Sequence, residues 1–310
     1  MDLLSAIGGT PLVQLRHIGA GLPVPILAKC EHCNPGGSVK DRMAKAILDD
    51  AAARGLLHPG MTIVEATAGN TGVGLALVAA VRGYRLVCVL PEKMSVDKRE
   101  SLRLLGAEVI VVPNAPPSAP ENFRNTAARL AREHGWFAPQ QFENPANPAV
   151  HEHTTAVELL EQTGGRIGAF VAGAGTGGTL TGVARALRRA CPDAKIVLAD
   201  PTGSALAQWI ETGTLGPDGS YLVEGIGASV PPANLDRTLV HAAVSVDDAD
   251  SFAMVRRLVR EEGLLVGGSS GTNVAAAVTL ARTMPLDGPV VTVLADGWDR
   301  YRSQAWMRGW

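Results

Sequence analysis

One lysine in this chain stands where its amine could do chemistry. Lys40 ends the run Asn34-Pro35-Gly36-Gly37-Ser38-Val39 and is followed by Asp41-Arg42. Turn formers give way there to helix formers, so the amine arrives at a helix start. The positive end of the helix dipole disfavours its charged form and lowers its pKa. An amine so tuned is a nucleophile toward aldehydes. A second polar loop, Thr67-Ala68-Gly69-Asn70-Thr71-Gly72, follows thirty residues on, and a third, Gly173-Ala174-Gly175-Thr176-Gly177-Gly178-Thr179, lies in the other half. The third offers consecutive backbone N–H groups and two hydroxyls to an anion. An amine, an amide-rich cradle and a phosphate-sized nest are the parts a pyridoxal phosphate (PLP) enzyme needs.

Each loop also has an ordinary reading. Most lysines are solvated surface charges. Thr67, Asn70 and Thr71 are good helix caps, so the second loop could simply start a helix. Its functional reading uses the same geometry: the N–H groups receive a substrate carboxylate, and Asn70 donates to an aromatic hydroxyl on the cofactor. Gly173, Gly175 and Gly178 satisfy G-x-G-x-x-G, with Asp200 at the end of the next expected strand. That is the dinucleotide fingerprint. On this segment alone an NAD(P)-dependent oxidoreductase stands level with a PLP enzyme, but it leaves Lys40 and the Asn70 loop without a role.

The elements that must position these loops follow from periodicity. Strands are expected at residues 62–66, 85–90, 108–112, 168–172, 195–200 and 289–294, and helices at 71–81, 96–105, 122–134, 150–161, 178–189, 249–262 and 272–282. Such alternation predicts an α/β protein with parallel sheets covered by helices on both faces. Ligands then gather at the carboxyl ends of the strands, where the Asn70 loop, the Gly173 loop, Ser269 and Asp296 all fall. The Pro/Asn-rich stretch at 144–148 and the looser 114–120 read as boundaries or loops.

Composition narrows the classes. A chain of 310 residues, 46% hydrophobic, has room for two buried cores. A formal charge of −2 without blocks of like charge argues against a nucleic-acid or membrane-surface partner. No apolar run approaches the roughly 18 residues of a membrane span, and Met1-Asp2-Leu3-Leu4-Ser5 lacks the basic start of a signal peptide. A cytoplasmic protein is expected. Cys30 and Cys33 form a Cys-x-x-Cys, but no further pair of ligands completes a zinc site, so no metal is expected. A redox pair is the alternative to a packing role, and the alternation of Ile26, Ala28 and Cys30 favours packing.

Six ordered segments carry a resemblance. The runs at 34–42, 68–72 and 175–179, with Gln-Phe-Glu-Asn-Pro-Ala-Asn-Pro at 141–148, Glu-Gly-Ile-Gly at 224–227 and Gly-Gly-Ser-Ser-Gly at 267–271, resemble the cysteine synthase/cystathionine β-synthase family. The match runs from about residue 5 to residue 303. It implies fold type II: two three-layer α/β domains, a larger one from 1–36 and 146–310 that anchors PLP and a smaller mobile one from 37–145, with PLP in the cleft between them. An early strand joins the larger domain's sheet.

By the same resemblance Lys40 is the Schiff-base lysine and acid–base catalyst. Asn70 contacts the cofactor's 3′-hydroxyl, and Gly175, Thr176, Gly177, Gly178 and Thr179 hold its phosphate. Ser269 meets the pyridine nitrogen, and Gly225 lies along the cofactor near the mouth of the site. Thr67, Ala68, Gly69, Thr71 and Gln141 form the substrate-binding group. The implied reaction is β-replacement on serine, O-acetylserine or O-phosphoserine through aminoacrylate. The nucleophile would be sulfur, giving cysteine or cystathionine, or a non-sulfur one in a specialised pathway. A homodimer acting on small amino acids is implied.

The chain departs from the family at two places. Ala68 stands where a serine is usual, removing a hydroxyl near the substrate, and the segment Ala295-Asp296-Gly297-Trp298 replaces one that commonly carries Pro and Ser. Pro91-Glu92-Lys93-Met94-Ser95 and Val223-Glu224-Gly225-Ile226-Gly227 are closer to the cystathionine-forming branch. With the sequence running from Met1 to Trp310, neither a C-terminal regulatory module nor an N-terminal haem extension is expected.

Overall fold

The computed structural model describes residues 2–308 except Ala68, Lys93, Ser95 and Pro117. Ala68, expected among the substrate contacts, therefore lies outside the described residues. The chain forms two compact units, Met1–Ile7 with Asn34–Ala146, and Gly8–Cys33 with Asn147–Trp310.

The first unit is a three-stranded parallel sheet, β3 (Thr62–Glu65), β4 (Arg85–Pro91) and β5 (Glu108–Val112), in that order. Helices α1 (Lys40–Ala53), α2 (Asn70–Arg82) and α3 (Val96–Leu104) belong to this unit, as does α4 (Phe123–His134). Strand alternation sorts its two cores. Ile63, Cys88 and Leu90 bury against Leu48, Leu75 and Leu102 on one face. Val64, Val87 and Val89 bury against Ala127 and Phe123 on the other. Met1–Ile7 sits with this unit because Leu4 and Ile7 join the core around α1 and α2.

The second unit carries β1 (Leu12–Gln14), β2 (Ile26–Cys30), β6 (Ala169–Ala172), β7 (Lys195–Pro201), β8 (Ala242–Val246) and β9 (Val290–Leu294). Their order is β1-β2-β9-β6-β7-β8, with only β1 antiparallel to its neighbour. Helices α5 (Ala146–Val150), α6 (Ala156–Thr163), α7 (Gly178–Ala190) and α8 (Leu206–Thr212) are followed by α9 (Asp248–Glu262) and α10 (Gly268–Thr283). Leu159, Val183, Leu187 and Leu206 cover one face of the sheet. Met254, Leu258, Val274 and Ala277 cover the other. Both units are therefore three-layer α/β, and burial on both faces explains why strands such as Val290–Leu294 read as unbroken apolar runs. Among the described residues no helix is long and apolar enough to cross a membrane.

Two elements differ from the expectation. The helix expected over 150–161 is divided by a single π-helical turn, His151–Thr155, between α5 and α6. The extra residue in that turn sets His151 and Thr155 together on the buried side, with Nδ1 2.9 Å from Oγ1. Helix α10 starts at Gly268 rather than 272, taking Ser269 into its first turn. Glycine and serine are poor helix formers, but tertiary packing overrides them: a side chain at Gly271 would come within 2.0 Å of the Ser251 carbonyl of α9.

One charge lies deep in the second sheet. Lys29 is fully buried on β2, and its ammonium meets Glu158 at 2.6 Å, the Thr10 carbonyl at 2.7 Å and Gln162 Oε1 at 2.8 Å. Three donors find three acceptors. Glu158 also takes the Gly9 N–H at 3.0 Å, tying the strand β1 approach to α6. Removing one partner of a buried pair leaves the other charge uncompensated. Glu158→Ala is expected to cost about 3 kcal/mol, seen as a lower urea midpoint at unchanged slope; an unchanged midpoint would show the pair to be dispensable.

Candidate active site

In the first unit the turn before α1 is pinned by its own residues. Gly37, at φ +76°, donates its N–H to the Asn34 carbonyl at 2.7 Å, and Gly36 donates to the Asp41 carboxylate at 2.5 Å. Lys40 is the first helical residue, and its N–H meets Ser38 Oγ at 3.2 Å. Helix α1 packs closely on α2 at Gly74, where a Cβ would stand 3.1 Å from the Lys40 carbonyl. The lysine turn and the Asn70 helix are thus joined near their starts.

Helix α2 begins at Asn70 with Gly69 as N-cap, and no side chain caps it. Thr67 instead accepts the Gly69 N–H at 3.3 Å, and Thr71 Oγ1 donates to Gln141 Oε1 at 2.6 Å. Thr67 and Thr71 are therefore engaged with Gly69 and Gln141. Lys40, Thr67, Gly69, Asn70, Thr71 and Gln141 all belong to this unit.

In the second unit the loop after β6 opens into α7. Gly177 is the N-cap at φ +81°, with no side-chain cap and no acid in the first turn. A Cβ on Gly177 would lie 2.7 Å from the Leu235 backbone nitrogen, and one on Gly175 would lie 2.1 Å from the Gly225 carbonyl. The loop and the Gly225 turn meet backbone to backbone, and the cradle admits no side chain at either position. Thr176 accepts from Asn147 Nδ2 at 2.9 Å, which leaves its own hydrogen to donate. Thr179 Oγ1 lies 3.2 Å from His151 Nε2. A helix N-terminus lacking acids and side-chain caps, with two oriented hydroxyls, fits a phosphate dianion.

Ser269, buried in the first turn of α10, is set beside the end of β9, where the Gly267 N–H donates to the Asp296 carbonyl at 3.1 Å. One turn along, Asn273 Oδ1 accepts the Gly173 N–H and Nδ2 donates to the Val293 carbonyl, both at 2.8 Å. This buried amide registers α10 against the ends of β6 and β9. Gly175, Thr176, Gly177, Gly178, Thr179, Gly225 and Ser269 all lie in this unit. Sequence reasoning passed over Asn147, His151 and Asn273. Asn147 fell within the Pro/Asn-rich boundary and the resembling segment at 141–148 without a role of its own, and polar residues inside helical patterns gave no signal of their contacts.

The dinucleotide alternative fails at its acid. Asp200 is fully buried, and its Oδ2 accepts the Ala207 N–H at 2.8 Å, near the start of α8. It is consumed in folding the chain and presents no face to a ribose. The thiols of the Cys-x-x-Cys are also quiet: burial pushes Cys30 up to about 12 and raises Cys33, so little thiolate is present at neutral pH.

Burial also pushes Asp200 up to about 6 against the hydrogen bonds from Ala207 and Ser204. Between its ordinary carboxylate value and about 6 it binds more protons folded than unfolded, so it lowers stability as pH rises through that window. Asp200→Asn keeps an acceptor for Ala207 and removes the charge. Its stability relative to wild type is expected to climb as pH rises from about 4 to about 6 and then level. A constant difference across that range would show that this carboxyl is not the titrating group.

The chain is similar to known proteins over its whole length. It is 46% identical over 313 residues to the cystathionine beta-synthase of Mus musculus, covering 100% of this chain but 56% of that protein. The chain thus spans little more than half the length of those relatives. It is 42% identical to the cysteine synthase of Staphylococcus aureus, covering 97% and 95% of the two chains. The crystal structure of O-ureido-L-serine synthase superposes with a TM-score of 0.90 at 40% identity, over 99% of this chain and 95% of that one. The sequence pattern of pyridoxal-phosphate dependent enzymes matches residues 3–296. With that match, and a lysine turn, a phosphate-fitting helix start and a buried serine in place, the chain belongs to the family of pyridoxal-phosphate dependent enzymes.

Proposed function

We propose that this protein catalyses β-replacement on serine or an O-activated serine. The observation that carries the reading lies in the first unit, where the Lys40 turn is packed against the uncapped start of α2 and Gln141 is held on Thr71. A lysine whose backbone packs on the helix that those N–H groups begin suits an α-amino acid, whose carboxylate needs such donors and whose α-proton needs a base. The similarity to cystathionine beta-synthase and cysteine synthase supports it.

The residues take separate tasks. Lys40 would hold PLP through its amine and, with that amine freed when the substrate amine takes its place, would take the proton from the substrate α-carbon and later return it. Asn70 donates to the cofactor's ring hydroxyl. The backbone N–H groups and hydroxyls of Gly175, Thr176, Gly177, Gly178 and Thr179 receive the phosphate, and Gly225 borders the cofactor. Ser269 offers the ring nitrogen a neutral hydroxyl, which does not demand a protonated ring. PLP, when bound, supplies an electron sink for charge developing at the α-carbon. Thr67, Gly69, Thr71 and Gln141 orient the substrate through its carboxylate, so that the α-proton faces the lysine. Ala68, in the same run, contributes no hydroxyl.

A sulfur nucleophile, sulfide or homocysteine, is the first reading. The similarity to O-ureido-L-serine synthase favours a second, an oxygen nucleophile carrying a ureido group. Homodimeric assembly rests on the family resemblance of the sequence alone, and a cytoplasmic setting on its composition.

A panel of serine, O-acetylserine and O-phosphoserine, each offered with sulfide, homocysteine and a ureido oxygen nucleophile, tests the reaction. One serine donor is expected to give a β-substituted product. Lys40→Ala is expected to lower turnover at least ~10³-fold while still retaining PLP through its phosphate. If no donor loses its β-substituent, the β-replacement reading is wrong.

A further inference from the structure

A buried histidine that the functional reading leaves unused stands behind the phosphate-fitting start of α7. His151 is 2% exposed, and both its ring nitrogens meet threonine hydroxyls. Nδ1 lies 2.9 Å from Thr155 Oγ1, and Nε2 lies 3.2 Å from Thr179 Oγ1. A neutral imidazole has one donor nitrogen and one acceptor, so the two contacts run in opposite senses. Thr155 decides which. Its hydroxyl is fully buried, and among the described residues His151 Nδ1 is its one partner. Were Nδ1 the donor, the Thr155 hydrogen would be buried with nothing to accept it, which is costly. An imidazolium would strand that hydrogen as well. With Nδ1 as acceptor the hydrogen is bonded, the ring's own hydrogen stands on Nε2, and Nε2–H donates to Thr179.

The π-turn supplies this arrangement. Threonines in helices commonly turn their hydroxyls onto the carbonyl four residues back. Thr154, Thr163 and Thr283 do so here, at 2.6, 2.7 and 2.9 Å. Thr155 departs from that habit. Inside the π-turn the His151 carbonyl receives the Ala156 N–H, five residues on, and the Thr155 hydroxyl goes to the His151 ring.

We propose that His151 is a positioning residue for the cofactor phosphate, held by Thr155 in the tautomer that donates to Thr179, so that the Thr179 hydrogen is kept for the anion. The inference rests on the reading of the α7 start as the phosphate site. Thr179 is the second residue of α7, and among the described residues its hydroxyl has no partner besides His151. Accepting from Nε2–H fixes its oxygen and leaves its hydrogen to donate. The opposite tautomer would take that hydrogen and turn a lone pair toward the anion. Thr176 is set in the same sense, since the buried Asn147 donates to it at 2.9 Å. Both hydroxyls of the loop thus arrive as donors, each turned by a buried side chain of α5 or of the π-turn after it.

Two measurements test this. The first is nitrogen NMR of the PLP-loaded protein with isotope-labelled histidine, the His151 signals being identified by their loss in His151→Gln. The wild-type ring is expected to be neutral with its hydrogen on Nε2. A hydrogen on Nδ1 would overturn the inference, whatever the stability of any other variant. The second is the PLP dissociation constant. His151→Leu is expected to weaken PLP binding ~10-fold, the loss of one oriented bond to a charged group. His151→Gln offers a carbonyl to Thr155 and an amide N–H to Thr179, and is expected to stay within ~3-fold of wild type. In a Thr179→Val background His151→Leu is expected to cost nothing further, because His151 acts through that hydroxyl. The same loss in both backgrounds would show a merely structural role and overturn the inference while leaving the phosphate site standing. If Thr179→Val itself left PLP affinity unchanged, the phosphate reading of the loop would fall, and this inference with it.

Discussion

Parallel pairing is the constraint on which everything else in this protein depends. In each sheet the parallel strands run one way, so every strand-to-helix turn is discharged at the same edge. Helices α2 and α7 begin in such turns, after β3 and β6, and the N-cap of each is a glycine with no side chain to cap the helix. By contrast α4 is capped by Asn122 in the ordinary way. Orphan N–H groups at a helix start are costly unless something accepts from them. In α2 and α7, which have no acid in the first turn, such N–H groups suit an anionic acceptor.

Loops held only by their own backbones would not keep such donors in place. Here each is registered by a buried polar side chain from elsewhere. Asn273 links the β6 loop to β9, Asn147 orients Thr176, and His151 spans Thr155 and Thr179 from within a π-turn. In the first unit Gln141 holds Thr71 at the start of α2. Such groups cost free energy when unsatisfied, so a fully paired network is rigid by construction. The same logic accounts for Lys29, whose three donors are all matched inside the second sheet.

Much of this was legible in the sequence. Unbroken apolar strands, glycine-rich turns after them and one lysine at a turn-to-helix junction point to the α/β class, the cofactor and the segments that would hold it. What the sequence hid has physical causes. Ser269 lies in a helix that its Gly-Gly-Ser-Ser-Gly composition argues against, because contact with α9 outweighs propensity. The π-turn leaves no periodic signature, being one residue long in its effect. Asp200 stood where a ribose-binding acid would, and only burial revealed that it is spent on α8. Gln140, left-handed at φ +52°, gave no hint either, since a strained turn shows itself in φ and not in residue type.

The central claim is that Lys40 is the residue joined to the cofactor. Borohydride reduction of the PLP-loaded protein, followed by peptide mapping, tests it most directly. The account predicts a pyridoxyl label on Lys40 alone. A label on Lys29, which is fully buried in an ion pair, on Lys45, which is paired with Asp49, or on any other lysine would contradict it.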